Sequence, residues 1–217
     1  MKYDGILSLL FTCIEIILLI NVFIFAKHKL KFFSIIILFL LAAYQFFEFL
    51  ICNLNFQNKI FVYLAFVVIT FLPPFGLLLS LRLNDIKSNK YNLIFIPALF
   101  FTIYYLLRLK KFAVVKCTVL YASYNYPLGF LYGLFYYIPI ILALFVHSSK
   151  LKSKNEAVKK ANKILMVGYF SFLIPTIIAI IFYPIARTAI ESIMCKFAFL
   201  FAIIISYFTL SFKGKDI

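Results

Sequence analysis

The chain contains no tryptophan, only seven acidic residues in 217, and just two histidines. No Cys-x-x-Cys pair occurs among Cys13, Cys52, Cys117 and Cys195, and His28 and His147 lie near the ends of apolar segments. A zinc or haem centre would have almost no ligands to use, so neither a metal nor any other cofactor is expected. No His/Asp cluster, Ser-His pair or other nucleophile arrangement is visible along the chain, and an enzyme is not expected. Charged residues amount to 13%, against about 25% in soluble domains. That scarcity excludes an ordinary soluble fold.

What replaces the missing charge is hydrocarbon. Hydrophobic residues make up 65% of the chain, more than a core of this length could hide, so lipid must be the solvent for much of it. Seven apolar segments are read, at about 5–26, 32–52, 60–81, 91–107, 128–147, 164–185 and 190–211, each long enough to cross a bilayer as a helix, the fourth being the shortest. The first ends in Phe-Ala-Lys-His-Lys without a small-residue cleavage pattern and is read as a retained helix. The expected fold is an all-α membrane protein, a single seven-transmembrane-helix bundle over 1–217 set in a cell membrane as a multi-pass protein.

The net charge of +15 does not indicate nucleic acid, because the basic residues lie in short runs between apolar segments, where the positive-inside rule puts them. With the N-terminus outside, the inner connections and tail hold fourteen Lys and Arg and the outer ones seven, which favours N-out/C-in. Arg108, Lys110 and Lys111 are the discordant outer cluster. The outer loop between helices 4 and 5 carries Phe112 to Tyr121, rich in β-formers, and then Ser-Tyr-Asn-Tyr-Pro. It reads either as a short β-hairpin across the outer mouth or as an aromatic-rich loop at the headgroups. Tyr104, Tyr105, Tyr121, Tyr124, Tyr126, Tyr132, Tyr136 and Tyr137 crowd the same level, as an interfacial belt would. Cys52 and Cys117 both fall on the outer side, where a disulfide could tie the outer loop to helix 2, but free thiols are the favoured reading, since sequence carries no Cα separation.

The informative residues are polar groups inside the spans. Ser8, Thr12 and Glu15 stand at i, i+4, i+7 in the first segment; Gln45, Glu48 and Cys52 stand at i, i+3, i+7 in the second; Thr188, Glu191 and Cys195 repeat that spacing in the seventh. Each set forms one narrow stripe on an apolar helix. Facing lipid would be costly, so all three should face inward, converging on the outer part of helices 1, 2 and 7. Lys196 is five residues from Glu191, too far round the helix to pair with it, so Glu15 or Glu48 is its expected partner. Glu15, Gln45, Glu48, Glu191 and Lys196 are the candidate ligand-binding residues. A purely structural interhelical bond, or a snorkelling lysine, is the competing reading. Pro73-Pro74 with Gly76, together with Pro97, Pro139, Pro175 and Pro184, are candidate kinks. A lysine in the seventh segment raises a retinal photoreceptor; the missing tryptophan and the lack of an acid in the third segment argue against it.

The stretch Ala43-Tyr-Gln-Phe-Phe-Glu-Phe-Leu-Ile-Cys52 resembles the Gln-x-x-Glu-Gly-x-x-Trp motif of small uncharacterised bacterial seven-span proteins. Gln45 and Glu48 match it, while Phe49 replaces the glycine and Cys52 the tryptophan. Ser192 to Ala202 is similar to their seventh-helix pattern of a Trp-Cys pair followed by aromatics and alanines; Cys195 matches and Met194 replaces the tryptophan. The order of features also resembles the seven-helix membrane sensor modules of bacterial histidine kinases. These have an acid late in helix 2, a proline in helix 3, a strand-like outer loop and a basic fifth-to-sixth connection. That resemblance implies a sensor or receptor-like module binding a small molecule or lipid in an outward-facing pocket among helices 1, 2, 3 and 7. Only about six residues follow the seventh helix, so the signal would pass to a separate partner. The alternative is a small transporter or proton-coupled carrier using Glu15, Glu48 and Lys196.

Overall fold

Long apolar runs leave the backbone one economical way to satisfy its N–H and C=O groups, the α-helix, and the chain takes it seven times. The computed structural model describes residues 5–27, 29–56, 58–86, 91–119, 121–182 and 190–212, with Glu191 described by its backbone alone. Its helices are α1 (Ile6–Phe25), α2 (Lys31–Cys52), α3 (Lys59–Leu83), α4 (Ile96–Leu107), α5 (Gly129–Lys150), α6 (Glu156–Phe182) and α7 (Ile190–Ser211). All except α4 are long and apolar enough to cross a membrane. Their outward faces are hydrocarbon: Phe130 is 83% exposed, Phe182 71% and Phe145 70%. Such a surface is incompatible with water over this extent.

The fourth segment is the one that departs from a regular span. It opens as a 3-10 turn at Tyr91–Phe95, and Pro97 sits at the N-terminus of α4, where its missing N–H costs nothing. Twelve α-helical and five 3-10 residues span about 28 Å. The segment runs antiparallel to α3 along its whole length. Tyr63 Oη donates to the Thr102 carbonyl at 3.2 Å, Phe75 and Phe95 rings lie 4.9 Å apart, and the Arg82 guanidinium lies 4.8 Å over Tyr91.

Helix α6 begins at Glu156, not near 164 as hydropathy suggests. The extra turns carry Lys159, Lys160 and Lys163 and are invisible to an apolar-run reading. They form because the Asn155 side chain accepts from Ala157 N at 2.9 Å and Val158 N at 3.3 Å, capping the helix. Helices α6 and α7 then pack closely at Gly168, where a Cβ would lie 2.9 Å from the Phe201 ring. Small residues at such a crossing are the usual means of close approach in lipid. Pro73, Pro74, Pro139 and Pro175 all lie inside continuous helices; Pro184 lies outside the described residues.

The loop between α4 and α5 is a hairpin. Strand β1 (Ala113–Cys117) pairs antiparallel with β2 (Ala122–Asn125), with an irregularity between Val114 and Lys116. The hairpin is fastened to four helices. Cys117 forms a disulfide with Cys52 at the end of α2, Cα–Cα 5.5 Å. Thr118 O accepts from Gly5 N at the start of α1 at 3.1 Å, and Ala122 N donates to Ser192 Oγ of α7 at 3.0 Å. Phe112 and Tyr124 pack on Phe66 of α3, with ring centroids 5.1 and 5.6 Å away. Much of the tyrosine crowd is therefore core, not belt: Tyr105, Tyr124, Tyr132 and Tyr136 are buried around this plug, while Tyr104, Tyr121, Tyr126 and Tyr137 are half-buried at its margin.

The disulfide closes a separation of 65 residues, and a bridge of that span is worth about 4 kcal/mol on chain-entropy grounds. Denatured wild-type protein should take up maleimide at two thiols before reduction and at four after it. Cys117→Ser should unfold at a lower temperature, and reductant should lower the wild type toward it.

Candidate functional site

Three helices bring their polar stripes together directly beneath the hairpin. On α1 the buried positions are Ser8, Thr12, Glu15 and Val22, one face at helical spacing. On α2, Gln45 and Glu48 are buried, and on α7 so are Ser192, Cys195 and Lys196. Lys196 points its ammonium into the gap between these helices and spends its three donors there. It reaches Ser8 Oγ at 2.6 Å, Gln45 Oε1 at 2.7 Å and Glu48 Oε1 at 2.7 Å. Glu48 is held from both sides: Ser8 Oγ donates to Oε1 at 3.2 Å and Ser192 Oγ to Oε2 at 2.9 Å. Gln45 Nε2 donates to the Cys195 carbonyl at 2.8 Å, which orients its amide oxygen toward the lysine. The ion pair is buried, Lys196 being 8% and Glu48 1% exposed, so it is not a snorkelling lysine.

Four of the five candidate residues thus come together on the same helices, three of them in direct contact. Glu15 is the odd member. It is fully buried on the same stripe, within electrostatic reach of Lys196, yet among the described residues neither carboxyl oxygen has a hydrogen-bond partner. The side chain of Glu191, like Thr188, lies outside the described residues. Ser192, which the stripe through Thr188, Glu191 and Cys195 passes over, is the residue that connects the cluster to the hairpin: β2 Ala122 N, Ser192 Oγ and Glu48 Oε2 form one hydrogen-bonded line.

A second polar cluster, not anticipated from sequence, lies toward the other end of the bundle between α3, α5 and α6. His147 Nε2 is 2.8 Å from Ser80 Oγ, and Nδ1 is 2.7 Å from Asn162 Oδ1. Asn162 and Asn84 exchange two amide hydrogen bonds, each 2.9 Å, and Asn162 Nδ2 also donates to the Val158 carbonyl at 2.8 Å. Those donations leave Asn162 Oδ1 as an acceptor, so His147 carries a proton on Nδ1. The order Ser–His–Asn has the connectivity of a nucleophile, base and orienting group. However, Ser80 is wholly buried in the last turn of α3, where the N–H groups around it are still committed to the helix and cannot form an oxyanion hole. What this arrangement does is bind three helices together. The one available clue in sequence is Ser80 and Asn84 at i, i+4, a spacing too common to single out.

Between the clusters, α2, α3, α5, α6 and α7 enclose a small apolar cavity of about 40 Å³, lined by Leu41, Leu72, Gly76, Tyr169, Met194 and Ala198 among others. It lies away from α1, whereas the sequence reading placed a pocket among helices 1, 2, 3 and 7. An apolar void of this kind has too few polar partners to hold ordered water.

Six long apolar helices around buried polar groups are those of a multi-pass membrane protein. No family model, curated protein or solved structure matches the chain.

Proposed function

We propose that this protein is a seven-span sensor module of a cell membrane, with its N-terminus and hairpin outside, that responds to a small molecule or lipid arriving at the hairpin. One observation carries the reading: the outer hairpin is hydrogen-bonded through Ser192 to the buried Glu48–Lys196 pair. Displacing β2 alters the partners of Glu48, and Glu15 offers the lysine a second carboxylate within reach. A lysine exchanging Glu48 for Glu15 would supply the two discrete states that a switch requires. Orientation has two independent supports. A disulfide persists in an oxidising compartment, which favours Cys52 and Cys117 outside, and the lysine and arginine count agrees. With α4 as a span of minimal length, seven crossings would bring the C-terminal end of α7 to the inner side, where a separate signalling partner would dock. Similarity in feature order to histidine-kinase sensor modules points the same way.

A carrier using Glu15, Glu48 and Lys196 is the second reading, favoured by the unpartnered Glu15 carboxyl. It needs a polar route across the bundle, whereas an apolar cavity separates the two clusters. Proteoliposomes enclosing a pH-sensitive dye distinguish the two. The sensor reading expects no proton flux under an imposed gradient. It also expects that hits from a panel of amphipathic small molecules raise the unfolding temperature of wild type and not of Ser192→Ala. Flux abolished by Glu15→Gln would establish the carrier instead.

A further inference from the structure

A lateral groove lies between α4 and α5 on the lipid-facing side of the bundle, about 450 Å³ in volume. It is lined by Leu77, Ile94, Pro97, Phe101, Leu134 and Ile138, among others, all apolar. The volume falls within the range of small-molecule sites. At the end away from the hairpin, Tyr91 precedes the lining residues of the 3-10 turn, and the Arg82 guanidinium stacks 4.8 Å over its ring. Arg82 is exposed, and among the described residues no carboxylate comes within ion-pair distance of it, Asp85 included. Five residues from Leu77 turns about 140° round α3, so Arg82 meets the groove through Tyr91, which stands two residues before the lining Leu93. The Tyr91 ring holds the guanidinium at this end of the groove, and among the described residues no carboxylate takes its N–H groups, which leaves them for a phosphate.

We infer that the α4–α5 groove is a binding site for an anionic phospholipid, with an acyl chain along the apolar groove and the phosphate on Arg82. Charge complementarity selects this occupant: a zwitterionic lipid could fill the groove equally well but gains less from an unpaired arginine at its mouth. The site does not depend on the sensor reading and would stand if that reading failed.

The test uses the purified full chain in detergent, titrated with dioleoylphosphatidylglycerol, dioleoylphosphatidylcholine and glycerol phosphate, with bound lipid counted by native mass spectrometry. Phosphatidylglycerol should bind about fivefold more tightly than phosphatidylcholine, the contribution of one basic group at an anionic surface. Arg82→Gln should bring the two lipids level, while Lys152→Gln leaves the preference intact. Leu134→Trp, which fills the groove, should weaken both. Phosphatidylglycerol with a diazirine in its acyl chain should label 93–101 and 131–142. The inference is overturned if Arg82→Gln keeps the full preference, if glycerol phosphate alone displaces the lipid, or if the label falls elsewhere.

Discussion

Glu48→Gln should destabilise the protein by about 3 kcal/mol, the lower end of the range for breaking a buried ion pair by removing one partner. The variant leaves the Lys196 ammonium surrounded by neutral oxygens of Ser8 and Gln45. The effect stays at the lower end because Glu15, fully buried and unpartnered, can take up the lysine's field. Glu15→Gln alone should therefore cost under about 1 kcal/mol, whereas the double variant should exceed the sum of the two singles by about 1–2 kcal/mol. Thiol exposure is a suitable readout, since the chain lacks tryptophan and Cys195 is buried beside Lys196. A fluorogenic maleimide in a Cys13→Ser background would report unfolding. Strict additivity would show that Glu15 does not share the lysine. Replacing both partners, as Glu48→Met with Lys196→Met, should restore most of the lost stability. If that folded variant no longer answers ligand, the pair is there for response and not for strength.

Most of the architecture was legible because lipid imposes a simple pattern. An apolar run near 20 residues ended by lysines reads as a helix whatever its neighbours are, and Ile190–Ser211 came out at the expected residues. The stripes of Ser8, Thr12, Glu15, Gln45 and Glu48 were legible for the same reason: a polar group in a span has few tolerable directions. Choosing Glu48 over Glu15 for Lys196 was not possible without the relative rotation of α1, α2 and α7, which one sequence does not carry. The disulfide overturns the free thiols favoured from sequence on the same ground, since it depends on a Cα separation. The start of α6 was missed because its capped first turns are basic, not apolar. The tyrosines were misplaced because a ring suited to headgroups is equally suited to a core beneath a hairpin.

A comparable effect is expected at a residue that carries no signal in the sequence. Asn162 sits one and a half turns into α6, in the extension that hydropathy does not reveal, yet it is the hub of the lower network. Asn162→Ala removes the acceptor of His147 Nδ1 and both bonds between the Asn84 and Asn162 amides at once, leaving Asn84 Oδ1 without its donor while Asn84 Nδ2 keeps the Ser80 carbonyl at 2.8 Å. Each buried group left without a partner costs about 1–3 kcal/mol, although interhelical hydrogen bonds in lipid average nearer 0.6. A loss of about 2–4 kcal/mol follows from several such groups failing together. His147→Phe should cost less, because it removes a hub neighbour while keeping the Asn84–Asn162 pair and an aromatic ring near Tyr169, whose centroid lies 5.6 Å from that of His147. The order of the two losses is the decisive result. If His147→Phe proves the more damaging, the imidazole itself, and not the amide pair, holds α3, α5 and α6 together. The hairpin end reports a further distinction: Asn162→Ala should leave the Cys52–Cys117 disulfide intact in the folded protein, since the two networks meet only through apolar packing.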